Sequence, residues 1–259
     1  MAEKTRKITK KILTTLVVAA FWILLWYLAA ARVGLELLLP SPVHVFRRFF
    51  ELLGDSIFYK TMGGSILRVS LGILQAVFAG VILGAVTAKS KVAAAVFGPP
   101  MTVIKSTPVA SFAILAALWL GREKLPVFVT LLIVLPIVWS NVETGVKQVD
   151  RGLLEMAKVY NVGSIKTVFG IYVPSVTPFF GAAFKSAIGL AWKAGISAEV
   201  IVNTPNSVGQ KLFESKAYFE TVDLFAWTAA VVLLNLILDA LIGLVSKRRS
   251  EEEKTDDQN

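Results

Sequence analysis

The chain of 259 residues contains no cysteine and a single histidine, His44. Disulfides, thiolate nucleophiles and Cys/His metal sites are therefore excluded, and a His-based catalytic triad has only one candidate base. No Gly-Lys dipeptide occurs either, so the Walker A loop that cradles nucleotide phosphates is missing. We accordingly expect no enzyme activity, no metal and no cofactor. Any energy that the protein uses must come from a partner or an ion gradient.

Charged residues are also scarce, at 17% of the chain, whereas 55% of the residues are hydrophobic and the mean hydropathy is +0.67. That balance is too apolar for a soluble domain of this length. An apolar helix needs about 20 residues to cross the hydrocarbon core of a bilayer. Runs of suitable length occur at residues 12–31, 62–88, 101–119, 125–142, 173–198 and 221–245. The sequence predicts an all-α membrane protein with six transmembrane helices.

The basic residues outside these runs fall unevenly on the two sides of the predicted bundle. Alternate gaps, together with both ends of the chain, hold 15 Lys and Arg residues, whereas the other gaps hold 8. By the positive-inside rule the first set is cytoplasmic. This predicts cytoplasmic tails at residues 1–11 and 246–259 around one transmembrane domain at 12–245. It also accounts for the net charge of +9 without a nucleic-acid partner. The longest cytoplasmic loop covers residues 143–172.

That loop carries helix signals that its flanking spans lack. Asp150 can cap a short helix that Asn161 and Gly163 end, with Gly163 as the left-handed residue, and Ser164 can cap a second helix. Two interpretations stay open: an amphipathic loop on the inner membrane surface, and a docking element that presents Glu155 and an apolar ridge to a cytoplasmic partner. A DNA-binding helix-turn-helix is disfavoured, since the loop has no room for a supporting core.

On the opposite side, a short helix is predicted between the first two spans. Ser41 suits its N-cap, Pro42 its first helical position and Gly54 its C-cap. We expect this helix to lie flat at the membrane interface, with Arg47 and Arg48 directed toward lipid headgroups.

Small residues recur every four positions along the second predicted span, at Gly72, Ala76, Gly80 and Gly84. Such a stripe predicts helix packing, because it lets another helix approach closely. Packing within the chain and packing against a second copy both stay open.

Four basic residues fall inside predicted spans: Arg68, Lys105, Lys185 and Lys193. Charges at membrane depth are candidate functional residues because they are costly there. Arg68 and Lys193 lie nearer the predicted outer surface, to which their side chains can snorkel.

Lys185 lies near the middle of its predicted span. It shares one helical face with Gly189, Trp192, Ile196 and Glu199, which follow one another at three- and four-residue spacing. This face is the candidate translocation path, on which Lys185 would attract an anion. The alternative is a structural lysine that pairs with a group on a neighbouring helix.

Five short motifs, in order along the chain, carry a family resemblance. They are LLPSP at 38–42, GSILRVSLG at 64–72, STPVASFAILAALWLG at 106–121, Glu155-Met156-Ala157 with Gly163 and Pro174, and GLAWKAGISAE at 189–199. Together they resemble the permeases of bacterial ABC importers, in the branch that takes nitrate, sulfonates, taurine and bicarbonate. The fourth motif resembles the EAA loop of that family, with Met156 in place of the usual alanine.

The resemblance implies a type I ABC importer permease fold in a bacterial inner membrane. Its coupling helix would contact an ATPase through Glu155, Met156, Ala157, Gly163 and Pro174. The chain would assemble with a second permease, as a homodimer, with two ABC ATPase subunits and with one extracytoplasmic substrate-binding protein. The implied cargo is a small anionic or heteroaromatic solute such as a sulfonate, nitrate or taurine.

Two alternatives accompany this hypothesis. The chain could be a self-sufficient secondary transporter or channel, although such a protein is expected to show paired half-repeats, and no convincing internal repeat occurs. The cargo could instead be a pyrimidine, a thiamine precursor or a riboflavin-like compound, since related permeases carry such molecules.

Overall fold

The computed structural model describes the backbone of residues 2–256 and the side chains of residues 13–244. Within this range every regular element is a helix, and no strand occurs. The α-helices are α1 (Ala2–Val33), α2 (Pro42–Leu53), α3 (Ser56–Lys89), α4 (Lys91–Ser106), α5 (Val109–Lys147), α6 (Arg151–Val159), α7 (Ser164–Thr167), α8 (Val173–Val202), α9 (Val208–Ala217) and α10 (Thr221–Asp256). A π-helical turn, Val168–Tyr172, joins α7 to α8. The predicted all-α class is confirmed.

Five helical stretches of the described chain are long and apolar enough to cross a membrane. They are Leu13–Val33, Ser56–Lys89, Val109–Lys147, Ser164–Val202 and Thr221–Leu244. The predicted run at 101–119 is divided between two helices, because residues up to Ser106 belong to α4 and the rest to α5. The predicted run at 125–142 lies within α5. The break between α4 and α5 follows from Pro108, which disfavours a helical conformation for Thr107 and leaves it extended.

The 39 residues of α5 form two antiparallel segments rather than one rod. Gly121 has φ +70° and ψ 178°, a conformation outside the helical region that glycine adopts readily. Ala113, before this glycine, packs in the same core cluster as Val129, after it. Val109 and Pro136 line the same cavity, although a continuous helix would separate them by about 40 Å. The chain therefore reverses direction at Gly121.

The small-residue stripe of α3 packs against the second segment of α5. An added Cβ would lie 2.6 Å from the Thr130 side chain at Gly72, 2.9 Å from Val138 at Gly80 and 2.9 Å from Val142 at Gly84. Ala76, between them, is fully buried. The stripe thus contacts a helix of the same chain, and only residues without a bulky side chain fit that separation.

The segment that follows α8 is held by a buried carboxylate. Glu199 is fully buried and accepts hydrogen bonds from the Ser65 hydroxyl at 2.7 Å and the Gly209 backbone N–H at 3.2 Å. A guanidinium nitrogen of Arg68 lies 3.4 Å from its second oxygen, and Arg68 also donates to the carbonyl of Pro205 at 2.8 Å. The prediction that Arg68 snorkels to the surface is wrong, because its side chain is only 17% exposed and is used by these partners.

A second contact ties the same segment to the reversal in α5. Arg122 donates from Nε to the carbonyl of Val202 at 2.8 Å, and Thr204 donates to the carbonyl of Arg122 at 2.8 Å. The turn after Gly121 and the segment after α8 therefore lie side by side. The charge count had placed both on the same side of the membrane.

All contacts described so far lie within one compact unit, Lys60–Gln210 with Val232–Asn259; Met1–Tyr59 and Lys211–Val231 form the other. In this second unit the predicted caps of α2 are confirmed: Ser41 accepts from the N–H of His44, Pro42 is the first helical residue, and Gly54 ends the helix. Arg48 does not point to headgroups as predicted. It pairs with Asp223, at 2.5 Å and 3.0 Å.

We expect the close contact of α3 and α5 to tolerate no added methyl group. Gly80→Ala should lower the free energy of unfolding by about 1–3 kcal/mol, because its Cβ would overlap Val138. Gly63→Ala, in the same helix, is the matched control. An added Cβ there has no neighbour within 4 Å, so it should be neutral or stabilising by up to about 1 kcal/mol. Thermal unfolding of both variants in one detergent measures the difference, and equal melting temperatures would contradict the packing.

Removing the cation beside Glu199 should be strongly destabilising. Arg68→Met leaves a buried carboxylate without its counter-ion, for which we expect a loss of roughly 3–5 kcal/mol. The double variant Arg68→Met/Glu199→Gln should recover most of this loss, because an amide oxygen still accepts from Ser65 and Gly209 without carrying charge. Melting temperatures of both proteins test the pairing; a double variant no more stable than Arg68→Met would argue against it.

Candidate functional site

The charged segment between α5 and α8 begins with a capped helix. The Asp150 carboxylate accepts a hydrogen bond from the N–H of Gly152 at 2.7 Å, so the predicted cap of α6 is confirmed. At the other end, Asn161 has φ +51°, and the N–H of Val162 donates to the carbonyl of Ala157 at 2.8 Å. This is a left-handed helix end closed by a six-residue hydrogen-bonded loop.

Two local predictions for this segment are wrong. Gly163 is not the left-handed residue, since its φ is −60° and its ψ is 149°. It is extended and precedes α7 as N-cap, the position that had been predicted for Ser164, which is instead the first helical residue. The left-handed position falls on Asn161 because asparagine also tolerates this conformation and stands directly after the end of α6.

The predicted second short helix is continuous with the span that follows it. After α7 the chain passes through the π turn into α8, and the apolar stretch extends from Ser164 to Val202. Pro174 stands in the first turn of α8, where it has no N–H to donate back to the preceding turn. The interrupted hydrogen-bond ladder lies next to the widened π turn. The Lys89 ammonium sits 4.3 Å above the Tyr172 ring, which ties this joint to the end of α3.

The α6–α7 segment presents an apolar surface that the described chain leaves uncovered. Ala157 is buried and anchors α6, whereas Glu155 and Met156 are exposed. Large apolar side chains that are 70% exposed or more follow: Val159, Tyr160, Ile165 and Phe169. Large exposed apolar side chains next to exposed charges are typical of a docking site. We name this surface, with Glu155 and Met156, the docking segment.

The four candidate path residues of α8 do not share one environment. Lys185 is exposed, whereas Trp192 and Glu199 are 1% and 0% exposed. Gly189 faces α10, where an added Cβ would lie 3.6 Å from an Asp239 carboxylate oxygen. The burial of Trp192 and Glu199 argues for packing roles at these two positions.

Another face of α8 is both polar and open. Ser186, Lys193 and Ser197 are exposed and follow one another at spacings of seven and four residues. The Lys193 side chain lines a cavity of about 370 Å³, and Lys105 lines a neighbouring cavity of about 210 Å³. The seven- and four-residue spacing of these polar residues can be read from the sequence. This face was missed there because Lys193 had been interpreted as a snorkelling residue. Among residues 13–244, no group of three or more His, Cys, Asp or Glu is placed to hold a metal ion.

Several curated proteins are similar to the chain over most of its length. A Bacillus subtilis protein named as an aliphatic sulfonates transport permease is 24% identical, over 92% of this chain and 86% of its own. A nitrate import permease of Synechocystis is 24% identical, with 92% and 86% coverage. A protein of Escherichia coli K12 named as an aliphatic sulfonates transport permease is 26% identical, with 84% and 80% coverage.

The fold is shared with solved structures. A chain in the crystal structure of a bacterial alginate ABC transporter, in complex with a periplasmic protein bound to an alginate pentasaccharide, superposes with a TM-score of 0.62. That match covers 96% of both chains at 13% sequence identity. Another crystal structure, of a bacterial ABC transporter involved in the import of alginate, matches with the same TM-score at 14% identity.

The family model described as binding-protein-dependent transport system inner membrane component matches residues 76–251, which include the docking segment and both lysine-lined cavities. The relatives confirm the predicted branch, since their names assign them to sulfonate and nitrate transport. They are permease subunits, which are transport components and not enzymes. The chain belongs to the family of binding-protein-dependent transport system inner membrane components, and it is the permease of an ABC importer.

Proposed function

We propose that this permease forms the path by which a small anion, such as a sulfonate or nitrate, crosses a bacterial inner membrane. The choice of an anion rests on three exposed lysines of the membrane-embedded helices, Lys105, Lys185 and Lys193. A cation at membrane depth is costly, and it is retained where it contacts water or a ligand. The names of the relatives support the same class of cargo.

The topology that we propose has six crossings and both termini in the cytoplasm. The reversal at Gly121 supplies the crossing that a count of five long helices misses. Arg122, Glu123 and Lys124 mark one membrane surface at that turn. The second segment of α5 then runs to the opposite surface, where α6 follows. We therefore assign 12–245 as the transmembrane permease domain, 143–172 as its cytoplasmic coupling loop, and 1–11 and 246–259 as cytoplasmic tails.

The docking segment is proposed to bind an ABC ATPase. Its exposed apolar residues and Glu155 project from the face that the topology assigns to the cytoplasm, and the chain itself lacks a phosphate-binding loop. Gly163 and Pro174 border this segment, one before α7 and one at the start of α8. Binding of ATP would close two ATPases and move both coupling loops. ATP would shift the permease between its inward-open and outward-open states only because ATP has different affinities for the complex in these two states.

A second permease and a binding protein complete the proposed assembly. The polar face of α8, with Ser186, Lys193 and Ser197, is exposed in the single chain and is unsuited to contact with lipid tails. A second copy that faces it would enclose an aqueous path between the two chains. The alginate transporter of the same fold is complexed with a periplasmic protein, which supports delivery of cargo from the outer side.

Reversing the charge of the docking segment should detach the ATPase. We expect Glu155→Arg, an exposed substitution, to leave membrane insertion and melting temperature unchanged and to reduce recovery of the ATPase at least tenfold, because a reversed charge meets like charge on the partner. Asn161→Val should have the same effect by straining the left-handed helix end, whereas Asn161→Gly should preserve it. Co-purification from membranes measures all three. Full ATPase recovery with both Glu155→Arg and Asn161→Val would refute the docking role.

The proposed orientation can be read from single cysteines, because the chain has none of its own. Ser164→Cys should react with a membrane-impermeant maleimide only in inside-out vesicles. Glu123→Cys, at the turn after Gly121, should react only in intact spheroplasts. Both side chains are exposed, whereas Ser207, in the segment after α8, is fully buried and would report poorly. Labelling of both cysteines from one side would overturn the six-crossing topology.

A further inference from the structure

Two lysines from different helices line cavities that adjoin each other. One cavity, of about 210 Å³, is lined by Lys105 and Thr107 at the break between α4 and α5. The other, of about 370 Å³, is lined by Lys193 and Ser197 of α8. Both cavities are also lined by the same three apolar residues, Val109, Val129 and Ile133. The two cavities therefore adjoin at these three residues, and we call them together the recess.

The depth of this recess follows from its shared wall. Val129 and Ile133 lie 8 and 12 residues after the turning residue Gly121. At about 1.5 Å per residue this is roughly 12–18 Å along the helix from the charged turn. The hydrocarbon core of a bilayer is about 30 Å thick, so the recess lies near its middle. A charge at that depth is costly, so a lysine there is a candidate functional residue.

The composition of the recess favours an anion. Its polar side chains are Lys105 and Thr107 in one cavity and Lys193 and Ser197 in the other, and no residue that lines either cavity in the described chain is acidic. Lys105 contacts the Trp139 ring, which orients the ammonium but leaves its charge uncompensated. The Thr107 and Ser197 hydroxyls donate to the carbonyls of Val103 and Lys193, so the lysines are the groups that can attract an anion. Lysines beside an apolar wall match a molecule with a compact anionic head and a small apolar body.

We infer that Lys105 and Lys193 form an anion-binding subsite in the translocation path, where the two lysines attract the charged head and Val109, Val129 and Ile133 contact the apolar body. This inference rests on the proposed function and names the residues that would select its cargo. It assigns specificity to the permease itself at mid-membrane. It also gives roles to two lysines for which the sequence had suggested none or only snorkelling.

The test uses thiol reagents of opposite charge on the complete complex of permease, ATPase and binding protein. Val109→Cys places a single thiol in the wall that both cavities share. At this thiol we expect a methanethiosulfonate that carries a sulfonate group to react faster than one that carries a trimethylammonium group. The surface thiol of Glu123→Cys is the control, and it gives the reference ratio of these two rates. The ratio of the two rates should exceed the control ratio about tenfold, because each reagent charge interacts with two nearby lysines. Ser197→Cys, in the Lys193 cavity, is the second reporter.

Charge removal then identifies the source of this preference. In the Val109→Cys background, Lys105→Met and Lys193→Met should each lower the rate ratio at least threefold, and Lys193→Arg should preserve it. Lys91→Met is the matched control. Lys91 stands on the same helix as Lys105 but lines neither cavity, about 21 Å from Lys105 along the axis, so screening should limit its effect to less than twofold. Methanesulfonate and nitrate should slow the modification, and choline should not.

The outcomes separate this inference from the proposed function. A rate ratio equal to that of the control, a ratio unchanged by both Lys→Met variants, or thiols at Val109 and Ser197 that fail to react would each overturn the anion subsite. Recovery of the ATPase with the same preparations tests the permease assembly independently. Normal recovery with no charge preference would leave the ATPase-coupled permease standing and overturn the anion subsite. A charge preference without ATPase binding would support the subsite and contradict the proposed assembly.

Discussion

The close approach of α3 to α5 at Gly72, Gly80 and Gly84 is the constraint on which the main unit depends. In a membrane there is little hydrophobic gain from joining two apolar helices, so packing contacts must stabilise their association. Bulky side chains at these glycines would separate the helices. The second segment of α5, fixed in this way, supports α8 on another face, and the reversal at Gly121 brings the first segment back onto both. The lysine-lined recess exists because these segments converge.

Charged residues of the unit divide into two groups by their partners. Glu199 and Arg68 neutralise each other, and their remaining hydrogen bonds go to Ser65 and to backbone groups of the segment after α8. That arrangement is structural, because every strong acceptor is already used. Lys105 and Lys193 instead border open space without a carboxylate among the residues lining it. The difference explains why a charge within a span is a poor guide to function until its neighbours are known.

Local signals in the sequence were reliable where a side chain acts within three or four residues. Asp150 caps α6, and Ser41, Pro42 and Gly54 delimit α2, as their side-chain chemistry predicts. Gly163 was misassigned because both Asn161 and Gly163 can adopt the left-handed conformation. The choice is made by the hydrogen bond from Val162 to the carbonyl of Ala157. The roles of Arg68 and Arg48 were misjudged for another reason: their partners, Glu199 and Asp223, are more than a hundred residues away in the sequence.

The sequence by itself determined that the protein is an all-helical membrane protein, that it carries no nucleotide-binding loop, and that it belongs among importer permeases. Composition, apolar run length and ordered motifs are properties of the chain, so they can be read without coordinates. Only the tertiary structure decided that Gly121 is the residue at which the predicted runs 101–119 and 125–142 turn back on each other, and that Glu199 is a buried anchor. It alone also brought Lys105 and Lys193 to adjoining cavities, because these facts depend on contacts between segments that are distant along the chain and adjacent only after packing.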